Sequence, residues 1–168
     1  MITVVRNLYQ YRELIAALAR KNIVVRYKQA YLGLLWAVLK PVMLMLIFTL
    51  VRSFIGIETD GTPYPILTFA ALLPWILFQE SASEGVGSVN SNAALIRKIY
   101  FPREVFPITA MVTKLVELAI SFLILAGMMI YYEMMPTLQA LWVPVIILYT
   151  MTVALTISFF GAAINVYY

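Results

Sequence analysis

Four long apolar runs dominate the sequence, and short segments rich in charge, glycine or proline separate them. The runs lie at about 31–51, 65–83, 108–132 and 140–164. A helix rises 1.5 Å per residue, so about twenty residues cover the roughly 30 Å hydrocarbon core of a bilayer. The pattern therefore predicts an all-α, polytopic transmembrane protein with four spans, in which 31–168 forms the membrane domain.

The composition supports a membrane protein and argues against an enzyme. Hydrophobic residues make up 63% of the chain and charged residues 12%, whereas a soluble domain carries about a quarter charged residues. Cysteine and histidine are both absent, which excludes disulfides, thiol nucleophiles, histidine bases and most zinc sites. The sequence also lacks clustered carboxylates and a nucleophile–base set, so we expect no catalytic, cofactor or metal site on this chain.

The first segment, 1–30, is predicted to form an amphipathic helix in the plane of the membrane interface, most clearly over 7–29. Apolar residues recur there at helical spacing, while basic residues fall largely on the rest of the helix. A cytosolic surface helix without a membrane role is the alternative. We do not expect nucleic acid as a partner, because the chain leaves no room for a soluble basic module. The apolar set is Leu8, Tyr11, Leu14, Ile15 and Leu18.

The distribution of basic residues predicts the orientation in the membrane. Of the twelve lysines and arginines, ten lie outside the apolar runs. Nine of these ten precede the first run or lie in 97–103, and only Arg52 falls on the other side. Because cytoplasmic loops carry the excess of basic residues, the N-terminus and the loop 84–107 are predicted to be cytoplasmic. With four spans, the C-terminus would be cytoplasmic too.

The loop 84–107 contains a charged, proline-punctuated segment in an otherwise apolar chain. Residues 92–100 can form a short helix, which Pro102 would end because a residue before proline avoids helical geometry. Pro107 suits the first turn of the next helix. Such a segment could transmit force from a cytoplasmic partner into the spans. The alternative is a basic anchor whose prolines only turn the chain, and the residues alone leave both open.

Charged residues also occur within or beside the predicted spans. Lys40 lies about nine residues into the first run, roughly 13 Å deep, so it must reach the interface or face a polar pathway or dimer interface. Lys114 and Glu117 are spaced i,i+3 and can pair on one helix face, or they could face a pathway. Glu80 and Glu84 are expected to mark a solvated helix end, or to meet basic residues of the interfacial helix.

Aromatic residues make up 14% of the chain and have two possible roles. Trp75, Phe78 and Tyr149 could line a channel and stack on sugar rings, or they could simply pack within the membrane. Aromatic side chains also form belts at the membrane interface. The residues predicted to belong to such a belt are Tyr131, Tyr132 and Trp142.

Three stretches resemble the membrane subunit of ABC-type polysaccharide and polyol-phosphate exporters, which have the type-2 ABC exporter fold. They are RYKQAYLGLLWAVLKP (26–41), YPILTFAALLPWILFQESAS (64–83) and NAALIRKIYFPREVFPI (92–108). The shared pattern is Arg-Tyr-Lys with Leu-Gly-x-x-Trp, then Leu-Pro-Trp, then Lys-x-x-Phe-Pro-Arg-x-x-x-Pro. The motifs occur in order, and the final AAINVYY also resembles the end of the family's fourth span.

The resemblance implies a permease subunit of an ATP-driven exporter in the bacterial inner membrane. It would move lipid-linked polysaccharide or polyol-phosphate polymer, such as O-antigen, capsule or teichoic acid, from the cytoplasm across that membrane. The family forms homodimers and binds two copies of an ABC ATPase, which carry the ATP and magnesium. This chain accordingly has no Walker motif. The alternatives are a membrane scaffold or assembly protein, or an ABC exporter of drugs or small lipids.

The resemblance also implies roles for individual residues. The ATPase-coupling segment would comprise Asn92, Leu95, Ile96, Arg97, Lys98, Phe101, Pro102 and Arg103. The exit of the interfacial helix would comprise Arg26, Tyr27 and Lys28. Possible pathway or dimer-interface residues are Lys40, Trp75, Phe78, Lys114, Glu117 and Tyr149. Family members usually have six spans, so the sequence is expected to be truncated before the last two.

Overall fold

The computed structural model describes residues 11–28, 33–56, 61–98 and 103–167. Helices are the regular structure throughout these ranges, and no strand occurs in them. In chain order the elements are α1 (Arg12–Lys28), α2 (Gly33–Ile55), α3 (Tyr64–Ser91), α4 (Ala93–Lys98), α5 (Val105–Tyr131), a short 3₁₀ helix (Leu138–Trp142) and α6 (Val143–Tyr167).

Four helical stretches are long and apolar enough to cross a membrane. The all-α class and the number of apolar helices are therefore confirmed. The stretches are Val38–Ile55, Tyr64–Ser91, Val105–Tyr131 and Leu138–Asn165.

The second apolar helix continues beyond its predicted end. The sequence assigned 84–91 to a loop, but α3 is helical as far as Ser91. The Ser88 hydroxyl donates to the Gly85 carbonyl at 2.6 Å, and the Ser91 hydroxyl donates to the Gly87 carbonyl at 2.9 Å. These bonds pair the serine hydroxyls with carbonyl groups of their own helix. Packing of this segment against its neighbours outweighs the poor helix propensity of glycine.

The third apolar helix begins earlier than predicted. α5 begins at Val105, whereas the predicted span began at 108. Pro107 lies within the first turn of α5, where its missing N–H breaks no helical hydrogen bond. The predicted loop 84–107 thus holds the end of α3, the short helix α4 and the first residues of α5.

α3 is the central helix of the bundle. It packs most extensively against α6, then against α5 and α2. One apolar cluster joins α1 to the ends of α3, α5 and α6, and consists of Ile15, Leu18, Val89, Val105, Phe106 and Ala162. A second lies deeper between α2, α3 and α5, and consists of Met45, Phe69, Leu73, Leu77 and Leu118.

The described part of the first helix is amphipathic. Ile15 and Leu18 are buried against the bundle, while Glu13, Arg20 and Lys21 are exposed. Leu8, which completes the predicted apolar face, lies outside the described residues. The position of α1 in the membrane interface stays a prediction.

Candidate functional site

Five charged side chains from three helices form one cluster inside the bundle. Lys40 lies on α2, Glu80 and Glu84 lie on α3, and Lys114 and Glu117 lie on α5. Residues three or four apart share a helix face. Glu80 and Glu84 therefore lie on one face of α3, and Lys114 and Glu117 lie on one face of α5. Packing of α3 against α2 and α5 then brings the five together.

Lys114 is the centre of this charge cluster. Its Nζ lies 2.8 Å from a carboxylate oxygen of each of three residues, namely Glu80, Glu84 and Glu117. The side chain of Lys114 is only 4% exposed. Removing a charge from water is costly unless hydrogen bonds and opposite charges surround it. The three carboxylates therefore offset the free-energy cost of burying the ammonium group.

Glu80 bridges two helices through its two carboxylate oxygens. Oε1 accepts from Lys40 Nζ at 2.5 Å, and Oε2 accepts from Lys114 Nζ at 2.8 Å. The Lys40 side chain is 44% exposed and thus lies at the edge of the charge cluster. Beside the cluster is a cavity of about 40 Å³ whose lining includes Pro41 and Ser121, large enough for about one water molecule.

The charge cluster differs in part from the sequence-based expectations. The i,i+3 pair of Lys114 and Glu117 forms as the spacing indicated. Glu80 does not mark a solvated helix end, because it contacts lysines of two neighbouring helices. The sequence missed these contacts since they join residues far apart in the chain. A pathway or dimer-interface role for Lys40, Lys114 and Glu117 stays a prediction.

The short helix α4 is held against the bundle by its apolar side. The Asn92 carbonyl accepts from the backbone N–H groups of Leu95 and Ile96 at 2.9 and 3.1 Å. The Asn92 amide donates to the Ser88 carbonyl at 2.8 Å. Leu95 and Ile96 pack against the apolar cluster that joins α1 to the bundle. The helix α4 is therefore attached both to α3 and to this cluster.

Several predicted coupling residues fall beyond what the structure describes. Arg103 is described and exposed at the turn before α5. The backbone of Arg97 and Lys98 belongs to α4, and that of Arg26, Tyr27 and Lys28 belongs to the last turns of α1. The side chains of these five residues lie outside the described part, as do Phe101 and Pro102 entirely. The coupling assignment therefore stays a prediction.

A larger groove lies between α1 and the adjoining ends of α3 and α5. Its volume is about 660 Å³, and its lining is part polar and part apolar. Lys21 and Asn22 contribute from α1, Ser88 and Ser91 from α3, and Thr109 from α5. The sequence analysis missed this groove because no single segment carries its pattern.

Known proteins resemble this chain along nearly its whole length. A protein of Myxococcus xanthus named O-antigen export system permease protein RfbA is 34% identical over 167 residues, which cover 99% of this chain and 64% of that protein.

The chain is similar to O-antigen export permeases over nearly its whole length.

Further relatives carry similar names. The O-antigen export system permease protein RfbA of Klebsiella pneumoniae is 25% identical over 163 residues, covering 96% of this chain and 62% of that protein. The capsule polysaccharide export inner-membrane protein CtrC of Neisseria meningitidis serogroup B is 27% identical over 89 residues, or 51% of the chain and 32% of that protein. No protein-family model matches this chain. The chain spans less than two thirds of the length of the relatives it matches.

The aromatic residues of the described segments lie mainly on the outer surface of the bundle. Trp75 is 59% exposed, and its ring centroid lies 6.0 Å from that of Phe78. Tyr149 on α6 is 71% exposed. The rings of Tyr131 and Tyr132 meet edge to face at the C-terminal end of α5, with their centroids 5.1 Å apart. These positions fit either a lipid-facing or a partner-facing surface, so the channel-lining role stays a prediction.

Proposed function

We propose that this chain forms the membrane-embedded part of a permease that exports polysaccharide across the bacterial inner membrane. The observation that carries the proposal is the 34% identity along 99% of the chain with the Myxococcus permease. Four helices of sufficient length and hydropathy support it. Lipid-linked polymers such as O-antigen or capsule are the proposed substrates.

The energy for export would come from separate subunits. The sequence contains no phosphate-binding GxxxxGK[ST] loop, which an ATP-hydrolysing subunit of this kind requires. We propose that two chains assemble in the membrane and that two ABC ATPase subunits, with ATP and magnesium, bind on the cytoplasmic side. In this arrangement the N-terminus and α4 face the cytoplasm.

Force from the ATPase would enter the bundle through α4 and through residues 99–104, which connect α4 to α5. α4 is anchored by Leu95 and Ile96, and the chain then passes Arg103 directly into α5. α5 carries Lys114, whose carboxylate contacts reach α3 and, through Glu80, α2. A displacement of this connection would therefore act on three membrane helices that are joined by one charge cluster.

The docking role is tested by co-purifying the protein with a candidate ABC ATPase subunit of a polysaccharide export system. Replacing Phe101, Pro102 and Arg103 by alanine should weaken association about tenfold or more, as expected for central contact residues. Arg52→Ala is the matched control, because Arg52 lies at the opposite end of the bundle and should leave association unchanged. Unaltered association and ATPase stimulation in the triple variant would contradict the docking role.

The substrate class needs its own measurement. The gene should restore surface polysaccharide to a strain that lacks its own export permease and carries the matching ATPase and polymer pathway. Resistance to drugs without any surface polysaccharide would instead indicate an exporter of small molecules. Polymer retained in the cytoplasm, despite normal protein levels, would contradict polysaccharide export.

A further inference from the structure

The groove beneath α1 has chemically distinct walls. It lies where the C-terminal turns of α3 and the first turns of α5 meet α1. Both α3 and α5 are membrane-spanning candidates, so the groove is at one end of the bundle, the level at which apolar helix gives way to polar surface. Its volume of about 660 Å³ is within the range of small-molecule sites, about 300–1,000 Å³.

The α1 wall supplies hydrogen-bond donors. Lys21 and Asn22 both line the groove. Within the described part of the chain, neither side chain makes a hydrogen bond or an ion pair. The ammonium group of Lys21 offers three donors and no acceptor, and the Asn22 amide offers two donors. This wall suits an anionic group such as a phosphate.

The opposite wall supplies acceptors. The hydroxyls of Ser88, Ser91 and Thr109 each donate to a helix carbonyl, at 2.6, 2.9 and 2.8 Å respectively. A hydroxyl has only one hydrogen to donate, so the atoms left for the groove are acceptor lone pairs. Glu84 also lines the groove. Its carboxylate contacts Lys114 Nζ at 2.8 Å, and an ionised carboxylate, which only accepts, has enough lone pairs to accept from a second donor as well. This wall suits a cationic group that donates hydrogen bonds.

We propose that the groove binds the headgroup of a zwitterionic phospholipid with a primary ammonium group, as in phosphatidylethanolamine. The phosphate lies against Lys21 and Asn22, and the ammonium group donates to the serine and threonine oxygens. Leu18 and Val25 line the same groove and contact the glycerol and the first methylenes. The site sits at headgroup depth, so the lipid reaches it from the surrounding leaflet.

Other headgroups fit the two walls less well. A glycerol headgroup brings the phosphate but no cation. Nothing in that headgroup would offset the repulsion between its phosphate and the Glu84 carboxylate, which already shares Lys114 with Glu80 and Glu117. A choline headgroup brings a cation without N–H donors, so the acceptor oxygens of the wall would stay unpaired. Selectivity for ethanolamine over both is therefore the signature of the site.

The test is a lipid titration of the purified full chain in detergent, followed by native mass spectrometry. Phosphatidylethanolamine, phosphatidylcholine and phosphatidylglycerol with identical acyl chains are the probes. We expect one phosphatidylethanolamine per chain to bind more tightly than either of the others. Lys21→Ala should weaken that binding about tenfold, because a charge-assisted hydrogen bond is lost. Arg20→Ala is the matched control, since Arg20 is adjacent, exposed and absent from the lining.

A second variant tests the acceptor wall. Ser91→Leu fills the groove at an exposed position and should also reduce binding of phosphatidylethanolamine, while the melting temperature of the protein remains unchanged. Equal binding of the three lipids would overturn the proposal, as would stronger binding of phosphatidylglycerol. The same holds if Arg20→Ala and Lys21→Ala have the same effect, or if no lipid is retained.

Discussion

At the residue scale, the two lysines within the membrane-spanning helices have unequal environments. Lys114 is 4% exposed and contacts three carboxylates, whereas Lys40 is 44% exposed and contacts one. A long lysine side chain near the bundle surface can direct its charge toward the interface, but an enclosed one depends on its partners. The two positions should therefore respond differently to loss of charge.

We predict that Lys114→Met lowers the free energy of unfolding by about 3 kcal/mol or more, because three acidic groups lose a buried shared cation. Lys40→Met should cost about 1 kcal/mol or less, since its pair is partly exposed. The measurement is thermal or denaturant unfolding of the purified protein in detergent.

Adding Glu80→Gln to Lys114→Met should recover part of that loss, because the charge cluster without its central cation then carries one negative charge fewer. Glu80→Gln in the otherwise unchanged protein is the matched control. Equal losses for the two lysine variants would contradict the central position of Lys114.

At the scale of elements, α3 and α6 approach closely through small residues. A Cβ atom added at Gly85 would overlap the side chain of Ser158, and one added at Gly161 would overlap that of Val86. The Ser158 hydroxyl donates to the Ala154 carbonyl at 2.7 Å and reaches the Ser81 carbonyl of α3 at 3.3 Å. Small residues allow membrane helices to gain van der Waals contact where no hydrophobic effect drives association.

Polar contacts add to this interface at its end near α1. The Asn90 amide of α3 donates to the Asn165 carbonyl of α6 at 2.8 Å. The Asn165 amide donates back to the Val86 carbonyl at 3.3 Å. These reciprocal bonds fix the relative register of the two helices as well as their distance.

We predict that Gly85→Ala destabilises the protein by about 1–3 kcal/mol, the usual cost of overpacking a filled interface. Gly87→Ala is the matched control two residues along the same helix, where nothing lies within 4 Å of an added Cβ. That control should be neutral or stabilising by up to about 1 kcal/mol through helix propensity. Unfolding in detergent measures both, and a harmless Gly85→Ala would contradict the close approach.

At the scale of the whole molecule, most charged residues of the described segments lie at one end of the bundle or inside it. The outer faces of α2 and α6 are apolar, with Phe54 82% and Phe160 72% exposed. Such surfaces need lipid or another protein chain to cover them. The end formed by α1, α4 and the adjoining turns is the end that the distribution of basic residues predicts to be cytoplasmic.

We predict that Arg20→Cys reacts with a membrane-impermeant maleimide only from the cytoplasmic side, and Thr137→Cys only from the opposite side. The chain has no cysteine, so each introduced thiol is the single target. Intact cells and inside-out vesicles give the two accessibilities, and permeabilised cells control for reactivity. Labelling of both positions from the same side would contradict four spans in this orientation.

Much of the architecture follows from local sequence. The apolar runs predicted four long helices, and residues 92–100 predicted a short helix before α5, with Pro102 expected to end it. The spacing of Lys114 and Glu117 predicted their pair. Each of these depends on residues within a few turns of one another, so helical periodicity and proline geometry suffice to determine them.

The remaining features depend on how the helices pack. Glu80 meets Lys40 and Lys114 because α3 lies between α2 and α5, and the groove exists because α1 rests against the ends of α3 and α5. Helical periodicity states which residues share a face but not which helix that face meets. The class of the protein was therefore determined by the sequence itself, whereas the charge cluster, the extended α3 and the groove were decided by tertiary packing.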